Sequence, residues 1–593
     1  MSIKRTITRV LCSIVAVGVI SAQSFQLNYS TIPSFSAFFS QGPVMIVANI
    51  LVVALINVAL RCFMRQWRRT LLVTSTFFFL WSLVNFYVVQ FHGSPLFISE
   101  FANFRTAINV LGGYHFFISG AVIGLFLVYL VEIALVFAVG VLIKHNYEER
   151  KQTLLWVAVL AVNALAVYFA FFSVVAIKPS YTMTWSWTVS VRQYGYVSCF
   201  LEDLFSKESF YIIPEGYSSE PLKAPYNTEI GPDNNGPDMI LILNESFSDL
   251  NHFVENNCLA PLVQLENARL GYVAAPGVGG WTNNAEYELL TGNSSFLLKR
   301  SAPFNYVDFT ATEEDVIKQL KKLGYLTCGM HCGEKSNYSR HVVYPKIGFD
   351  NIILGEDAFT YFNKYGARPW FDADNYRDLE NYYEDNKGAQ QFIYILTYQN
   401  HGGWEQNSSQ YDTVALLGDY GDLSDDINEY LTSIQMSVDA FLELTEYFRT
   451  SDRHVIICMV GDHMPSFIKE LSATEPLSSE KLEIARRLVP YVMWANYDVS
   501  FPENTDYASM TDLVPMLFRT AGLPLTPYFQ VIMDLHDILP IRTSNGIWMD
   551  KDGNVGHYEE SSQYYDLLKQ YYYLEYNNIE AGNEYQKSLF EYQ

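Results

Sequence analysis

The stretch "DMILILNES", residues 238–246, predicts the fold of the larger part of this chain. Its apolar run is uninterrupted until three polar residues, Asn244, Glu245 and Ser246, end it. A short continuous apolar run is typical of a strand that is buried on both faces of a sheet. The segment therefore predicts a central strand with polar side chains at its carboxyl end.

The same kind of run occurs four more times, at 324–331, 391–401, 453–463 and 489–497. Helical patterns lie between the runs, at 313–323, 424–449 and 479–487. Strands that alternate with helices predict an α/β domain with a mostly parallel central sheet. We assign this domain to residues 237–545 and predict a Tyr-rich helical tail over residues 546–593.

The first 180 residues are much more apolar than the rest. Because about 20 helical residues cross a bilayer, we predict five transmembrane helices there, at 10–24, 43–60, 71–91, 116–143 and 154–177. Basic residues cluster before the first span and in the connections after the second and fourth: Lys4, Arg5, Arg9, Arg61, Arg65, Arg68, Arg69, Lys144, Arg150 and Lys151. The positive-inside rule then places the N-terminus in the cytoplasm and everything after residue 178 outside.

These patterns predict a transmembrane domain over residues 1–178 and a linker with a juxtamembrane helix over residues 179–236. The formal net charge of −24 argues against nucleic acid as a partner, since nucleic-acid binding needs a basic surface. The seven cysteines are scattered, and Cys328 and Cys332 are close enough to form a disulfide. Two buried core thiols are the favoured interpretation of that pair.

Polar groups follow three of the predicted strands. They are Asn244 and Glu245 after the first, Asn400 and His401 after the third, and Asp462 and His463 after the fourth. Ligands of open α/β sheets bind beyond the carboxyl ends of the strands. Carboxylates with one imidazole suit Mn²⁺, Mg²⁺ or Zn²⁺. Each residue alone is more often a helix cap or a loop hydrogen-bonding group, and their shared position favours a metal site.

The segment "GVGGWTNNAEYELLTGNSS", residues 277–295, reads as the start of a helix with Thr282 as its N-cap. Two interpretations are open. Thr282 is only a cap, or its hydroxyl is a nucleophile presented at a helix N-terminus that favours anions. Glu286 and Glu288 are interpreted as residues that complement the helix dipole.

The motifs "ILILNESFSDL", "GGWTNNAEYELLTG", "NYSR", "QNH" and "MVGDHMP" occur in this order along the chain. In this the chain resembles the lipoteichoic acid synthase-like phosphoglycerol transferases of the alkaline phosphatase/sulfatase superfamily, over nearly its whole length. The resemblance implies a sulfatase-like α/β domain. It also implies a metal site built from Glu245, Thr282, Asp462 and His463, with Mn²⁺ the expected ion.

The resemblance further implies that Thr282 is the nucleophile and that His401 lies near the leaving oxygen. Arg340 matches the arginine that holds the glycerophosphate group, and Tyr338 stands where better-known members carry Trp. The expected activity is a membrane-anchored transfer of glycerophosphate from phosphatidylglycerol, through a covalent Thr intermediate. The acceptor is a cell-envelope glycan or polyglycerophosphate, and the reaction takes place on the outer side of the plasma membrane.

Several alternatives remain at this stage. Sulfatases use a formylglycine within a C/S-x-P-x-R sequence, and no such sequence surrounds Thr282. Phosphoethanolamine transferases have a similar layout, but they usually carry several disulfides in the outer domain. Other sulfatase-fold phosphotransferases or hydrolases, and a non-catalytic envelope protein that binds lipid headgroups, complete the set.

Overall fold

A computed structural model describes residues 3–64, 66–92, 95–97, 118–142, 187–205, 211–218, 236–298, 303–305, 314–335, 337–355, 358, 371–404, 418–580 and 586–592. The described residues form two compact units, the first within residues 1–208 and the second within residues 209–593.

The first unit is helical. Its described helices are α1 (Ile3–Thr31), α2 (Phe35–Ser40), α3 (Gly42–Met64), α4 (Trp67–His92), α5 (Gly120–Leu142), α6 (Trp187–Tyr194) and α7 (Tyr196–Phe205). Three of them, α3, α4 and α5, contain segments long and apolar enough to cross a membrane: Gly42–Arg61, Trp67–Gln90 and Gly120–Ala138. These segments coincide with the second, third and fourth predicted spans.

The other two predicted spans have different outcomes. Residues 10–24 lie inside α1, which is not among the three apolar helices of the described residues. The carboxyl half of α1 buries several polar side chains instead: Gln23, Ser24, Gln26, Asn28 and Ser30. The fifth predicted span, 154–177, lies outside the described residues.

The two short helices α6 and α7 are fixed to the longer helices of this unit. They meet at Gly195, which has φ +83°. Asn28 on α1 accepts a hydrogen bond from the Tyr196 backbone at 2.7 Å. Asn49 on α3 donates to the Tyr194 carbonyl at 2.8 Å and accepts from the Ser198 backbone at 2.9 Å. A helix is therefore present where the juxtamembrane helix was predicted, and its backbone is bonded to α1 and α3.

The second unit is built on an eight-stranded sheet with the strand order β4-β3-β5-β1-β6-β7-β2-β8. The strands are β1 (Asp238–Asn244), β2 (Ala268–Ala274), β3 (Leu326–His331), β4 (Asn351–Leu354), β5 (Gln391–Leu396), β6 (Val455–Gly461), β7 (Leu488–Ala495) and β8 (Tyr507–Ser509). Among the described strands of this sheet, β7 alone runs against its neighbours. The prediction of a mostly parallel sheet is confirmed.

The helices of this unit lie between the strands of the sheet along the chain or follow β8. They are α8 (Ala260–Val263), α9 (Thr282–Thr291), α10 (Val316–Lys322), α11 (Arg340–Ile347), α12 (Asp372–Asp385), α13 (Ser424–Arg449), α14 (Ile468–Leu471), α15 (Ser479–Ala485), α16 (Leu513–Thr520), α17 (Pro527–His536), α18 (Tyr565–Glu580) and α19 (Lys587–Phe590). Every residue of β1, β5 and β6 is buried, as expected for strands covered on both faces. Cys328 and Cys332 are buried and are not joined in a disulfide, which agrees with the core interpretation.

The carboxyl-terminal part contains strands that the sequence did not predict. A second sheet has the order β11-β10-β9 and consists of β9 (Ile541–Arg542), β10 (Ile547–Met549) and β11 (Val555–His557). Two of these strands fall in the segment that we assigned to a helical tail. They are three residues each, too short to give a clear alternating pattern. The Tyr-rich helix α18 follows them.

Glu288 on α9 makes the stability of this domain depend on pH. Burial raises the pKa of its carboxyl to about 7, although it accepts a hydrogen bond from the Ser295 backbone at 2.7 Å. A carboxyl with a raised pKa in the folded state contributes stability that is present below its ordinary pKa and is lost as pH rises through the folded value. We expect this contribution to fall by at most about 3 kcal/mol between pH 4.5 and pH 7.

Thermal unfolding of the full-length protein in detergent, between pH 5 and pH 8, tests this expectation. The melting temperature of wild type should fall more steeply with pH than that of Glu288→Gln, which has no proton to lose. Parallel curves for the two proteins would show that Glu288 does not carry the effect.

Candidate metal centre and active site

The carboxyl ends of the two central strands place their polar residues side by side. Asn244 at the end of β1 pairs with Gly461 at the end of β6. A Cβ at position 461 would overlap the Phe247 carbonyl oxygen, so only glycine lets the loop after β1 cross the end of β6. The Ser246 backbone then donates to Oδ1 of Asp462 at 2.7 Å. This bond links the loops that carry Glu245 and Asp462.

Glu245, Asp462 and His463 form a compact buried cluster. One ligand atom from each residue lies within 4.8 Å of the others. The Nε2 atom of His463 is 3.5 Å from Oε1 of Glu245 and 3.3 Å from Oδ2 of Asp462. The sequence analysis predicted that these three residues would meet at one edge of the sheet, and the structure brings them together there.

The chemistry of the cluster fits a divalent cation. Oδ2 of Asp462 is buried and receives no hydrogen bond from the described residues. Burial raises the pKa of Glu245 and of Asp462, and their proximity adds to the effect at Asp462. Nδ1 of His463 is 2.9 Å from the Met464 carbonyl, which favours a proton on Nδ1 and leaves Nε2 to face the carboxylates. Two carboxylates and an imidazole arranged in this way are suited to bind a cation.

Thr282 is the first residue of α9 and faces this cluster. Its hydroxyl donates to Oε2 of Glu245 at 3.1 Å and lies 3.5 Å from Nε2 of His463. The N-cap prediction is wrong: the cap position belongs to Trp281, and no side chain caps the helix there. Trp281 has φ +77° and follows Gly279 and Gly280, which also have positive φ. This turn orients the Thr282 hydroxyl toward the carboxylates instead of toward the helix backbone.

Arg340 is held beside the cluster by Glu286. The guanidinium Nε is 3.0 Å from both carboxylate oxygens of Glu286, and Nη2 is 2.6 Å from Oε2. Both side chains are buried. The ring of Tyr338 lies 5.2 Å from the guanidinium carbon. The direct partner of Glu286 is thus an arginine 54 positions along the chain, which its interpretation as a dipole-complementing residue did not include.

The positive charge of Arg340 reaches the metal cluster. Burial raises the pKa of Glu245, and the neighbouring His463 and Arg340 partly oppose that rise. Arg340 therefore lies close enough to Glu245 for its charge to act on that carboxyl.

Two histidines line the same region. His401 stacks on Tyr398 with ring centroids 4.8 Å apart. Desolvation lowers the pKa of His401 to about 4, and the neighbouring His463 adds to this effect. The residue is nevertheless partly exposed. His331 ends β3, and its Nδ1 is 3.1 Å from the Leu396 carbonyl. Burial lowers the pKa of His331 well below its ordinary value, and Arg340 adds to this effect. Both rings are neutral at pH 7 and can serve as hydrogen-bonding groups.

Comparison with known proteins identifies the domain that carries these residues. Residues 237–523 match the Sulfatase family model, which spans every strand of the eight-stranded sheet and every residue of the site. We call this segment, which matches the Sulfatase family model, the sulfatase-family domain.

Relatives of the sulfatase-family domain are distant. Over 276 residues, 44% of this chain and 42% of the relative, the chain is 25% identical to a "Putative cyclic beta-1,2-glucan modification protein" of Rhizobium meliloti (strain 1021). It is 26% identical over 256 residues to the "Capsular polysaccharide biosynthesis protein RkpI" of the same organism, covering 42% of this chain and 44% of that protein. The chain thus spans less than half the length of these two curated relatives.

A solved structure shares the fold. The phosphoglycerol transferase GacH of Streptococcus pyogenes, in complex with sn-glycerol-1-phosphate, is 18% identical and superposes with a TM-score of 0.52, covering 65% of this chain and all of that one. At this identity the similarity establishes the fold alone.

The sulfatase-family domain also contains a buried polar network that the sequence analysis did not predict. Asp372, at the start of α12, accepts hydrogen bonds from Asn244 at 2.8 Å and from Ser437 at 2.7 Å. Asn400 donates to Asn244 and to Ser437, at 2.9 Å each. Asn244 and Asn400, which were predicted at the sheet edge that carries the metal site, therefore bind each other. Asn244 also bonds directly to Asp372, and Asn400 is linked to Asp372 through Ser437. They fix the backbone next to Glu245 and His401.

Proposed function

We propose that this chain is a membrane-anchored phosphoglycerol transferase that moves glycerophosphate from phosphatidylglycerol to a cell-envelope glycan. The observation that carries the proposal is the position of the Thr282 hydroxyl, 3.1 Å from Oε2 of Glu245 and 3.5 Å from Nε2 of His463. A hydroxyl needs activation to act as a nucleophile, and metal coordination is one means of activation. The same four residues are those that the sequence resemblance assigned.

Glu245, Asp462, His463 and Thr282 would hold one divalent cation, with Mn²⁺ expected and Mg²⁺ or Zn²⁺ as alternatives. Such a cation supplies charge stabilisation for phosphoryl oxygens and lowers the pKa of a bound hydroxyl. The remaining contributions come from the side chains themselves. Glu245 receives the hydrogen bond of the Thr282 hydroxyl and orients its oxygen.

In the first half of the reaction, Oγ1 of Thr282 forms a bond to phosphorus, and the bond from phosphorus to the diacylglycerol oxygen breaks. The hydroxyl proton is lost, the departing oxygen gains a proton, and glycerophosphoryl-threonine remains. In the second half, an acceptor hydroxyl bonds to phosphorus and Thr282 departs with a proton. His401, which is neutral at pH 7, acts as a hydrogen-bond donor near the departing oxygen.

Arg340 and Tyr338 are proposed to bind the donor headgroup. Glu286 occupies the Nε and Nη2 edge of the guanidinium, and the other edge has donors for a phosphate oxygen. The planar guanidinium fork matches phosphate geometry. The ring of Tyr338 lies against the guanidinium and keeps its plane oriented.

A glycan acceptor is favoured over polyglycerophosphate. The two curated relatives are named for glucan modification and for capsular polysaccharide biosynthesis. The solved structure of similar fold is a phosphoglycerol transferase with bound sn-glycerol-1-phosphate. A sugar hydroxyl as the second nucleophile is consistent with these names.

The proposed lipid donor explains why the enzyme would be anchored in a membrane. A diacyl lipid stays in the bilayer, so a catalyst fixed to the same membrane meets its donor at high effective concentration. The proposed arrangement has five spans, a cytoplasmic N-terminus and the sulfatase-family domain on the outer side of the plasma membrane. Three apolar helices of the described residues support the anchoring.

The test is a donor-selection assay with the full-length protein. Purified protein, Mn²⁺ and a soluble glucan are incubated with phosphatidylglycerol or with phosphatidylethanolamine, each labelled in the headgroup. We expect diacylglycerol and labelled glucan from phosphatidylglycerol, and neither product after addition of a chelator. Products from phosphatidylethanolamine alone would establish the phosphoethanolamine alternative, and no product from either lipid would favour a non-catalytic role.

A further inference from the structure

The Glu286–Arg340 pair is an unusual feature for a site that receives an anion. A free guanidinium would attract phosphate more strongly than one whose charge is already balanced. Here Glu286 is fully buried and Arg340 is 3% exposed, so solvent hardly screens the pair. Burial alone would lower the pKa of Arg340, but Glu286 raises it above its ordinary value. The arginine therefore stays charged, and the pair together contributes no net charge.

The Glu286 carboxylate is fixed by more than the arginine. The Tyr344 hydroxyl donates to its Oε1 at 2.8 Å, and the Asn283 amide lies 3.4 Å from its Oε2. Asn283 is itself held by the Phe304 backbone, which donates to its Oδ1 at 3.0 Å. With these partners, Glu286 cannot swing away when a phosphate approaches Arg340. Its negative charge remains next to the bound phosphate.

The pair also lies close to the reacting oxygen. Glu286 follows Thr282 by four residues on α9, and residues four apart share one face of a helix. Arg340 bonds to Glu286 at 3.0 Å, and the Thr282 hydroxyl, one turn earlier on the helix, donates to Glu245 at 3.1 Å. The charge balance of the pair therefore acts on the group that Thr282 attacks.

We infer that Glu286 is a specificity-determining residue that makes this site select a phosphodiester monoanion over a phosphomonoester dianion. The inference rests on the proposed function, because it assumes that Arg340 contacts the phosphate. A phosphodiester carries one negative charge, whereas a phosphomonoester carries nearly two above its second pKa of about 6. The fixed Glu286 charge repels the second negative charge and disfavours a dianion at this position.

A charge series separates this role from a purely structural one. Glu286→Gln leaves Arg340 unbalanced and adds one positive charge to the site. Arg340→Gln leaves Glu286 unbalanced and adds one negative charge. The double variant restores the balance of wild type without either ionised group.

The experiment uses full-length protein with Mn²⁺ at pH 8 and two chromogenic probes, bis(p-nitrophenyl) phosphate as diester and p-nitrophenyl phosphate as monoester. The measured quantity is the ratio of the two kcat/KM values, diester to monoester. We expect Glu286→Gln to lower this ratio roughly tenfold to a hundredfold, the effect of one charge at a partly screened distance. Arg340→Gln should raise the ratio, and the double variant should return it toward wild type.

Glu288→Gln is the matched control, since it also removes a buried carboxylate from α9. The Glu288 carboxylate accepts a hydrogen bond from the Ser295 backbone and not from Arg340. Its ratio should equal that of wild type. If Glu286→Gln lowers kcat/KM equally for both probes, so that the ratio is unchanged, Glu286 has only a structural role and the inference is overturned. If Glu286→Gln does not fold, Arg340→Gln and the double variant still test the inference. A diester-to-monoester ratio equal to that of wild type in Arg340→Gln would also overturn the inference. Wild type that turns over neither probe and no lipid would instead refute the proposed function.

Discussion

Thr282→Ala should lower the proposed transfer from phosphatidylglycerol by at least about 10⁴-fold, because it removes the oxygen that we propose as the nucleophile. The substitution deletes a hydroxyl that donates to Glu245 at 3.1 Å and leaves the helix without other change. The measurement is release of diacylglycerol by full-length protein with Mn²⁺. When acceptor is omitted, mass spectrometry of wild type should find glycerophosphate on the peptide that contains Thr282.

Thr291→Ala is the matched control for this change. Thr291 lies at the other end of the same helix, where its hydroxyl donates to the Tyr287 carbonyl at 2.6 Å. Its loss should leave the transfer rate within a few-fold of wild type, since one such bond contributes about 1 kcal/mol to stability and none of it to the reaction. Thr282→Ser, which keeps a hydroxyl, should retain measurable transfer. Near-normal activity in Thr282→Ala would mean that another group attacks phosphorus.

Asp462→Asn should have opposite effects on the metal-free and metal-loaded protein. It removes one of two buried carboxylates whose ligand atoms lie within 4.8 Å of each other, and like charges at this distance repel. We expect the melting temperature without metal to rise. The further rise that Mn²⁺ causes in wild type should disappear, and transfer should fall by about 10³-fold or more, because a divalent cation supplies several kcal/mol of transition-state stabilisation.

Asp249→Asn provides the comparison for the metal experiment. Asp249 lies in the same loop after β1, but its carboxylate accepts hydrogen bonds from the Tyr272 hydroxyl at 2.7 Å and the Asn251 backbone at 2.9 Å. It should keep the Mn²⁺-induced rise in melting temperature. An intact metal response in Asp462→Asn, measured by the same thermal scans and by calorimetric titration of Mn²⁺, would remove Asp462 from the ligand set.

The central strands were predictable because burial on both faces leaves a clear signal in the sequence. The runs that form β1, β5 and β6 are apolar throughout and buried throughout. The strands nearer the sheet edges leave a weaker signal. All four residues of β4 are only partly buried, and β2 is partly exposed over most of its length. β4 is only four residues long, and Arg269 and Gly271 interrupt the apolar residues of β2.

The site was predictable where residue type and position along a strand sufficed, and not where partners come from distant segments. Glu245, Asp462 and His463 follow strands whose ends must meet in a parallel sheet. The role of Glu286 depends on Arg340, and that of Asp372 depends on Asn244 and Ser437. No local pattern connects such pairs. The prediction of Thr282 as the N-cap was wrong because Gly279, Gly280 and Trp281 adopt positive φ values, which makes Trp281 the cap position and Thr282 the first helical residue.

The placement of Thr282 and Glu286 on one helix has a consequence for how this protein can diversify. One turn of α-helix rises about 5.4 Å. The spacing between Thr282, the proposed nucleophile, and Glu286, which holds Arg340, is therefore set by the pitch of the helix and not by a loop. Insertions or exchanges in the surrounding loops can remodel where an incoming alcohol docks without retuning the distance that bond formation requires. Acceptor preference and chemical competence are therefore free to evolve separately.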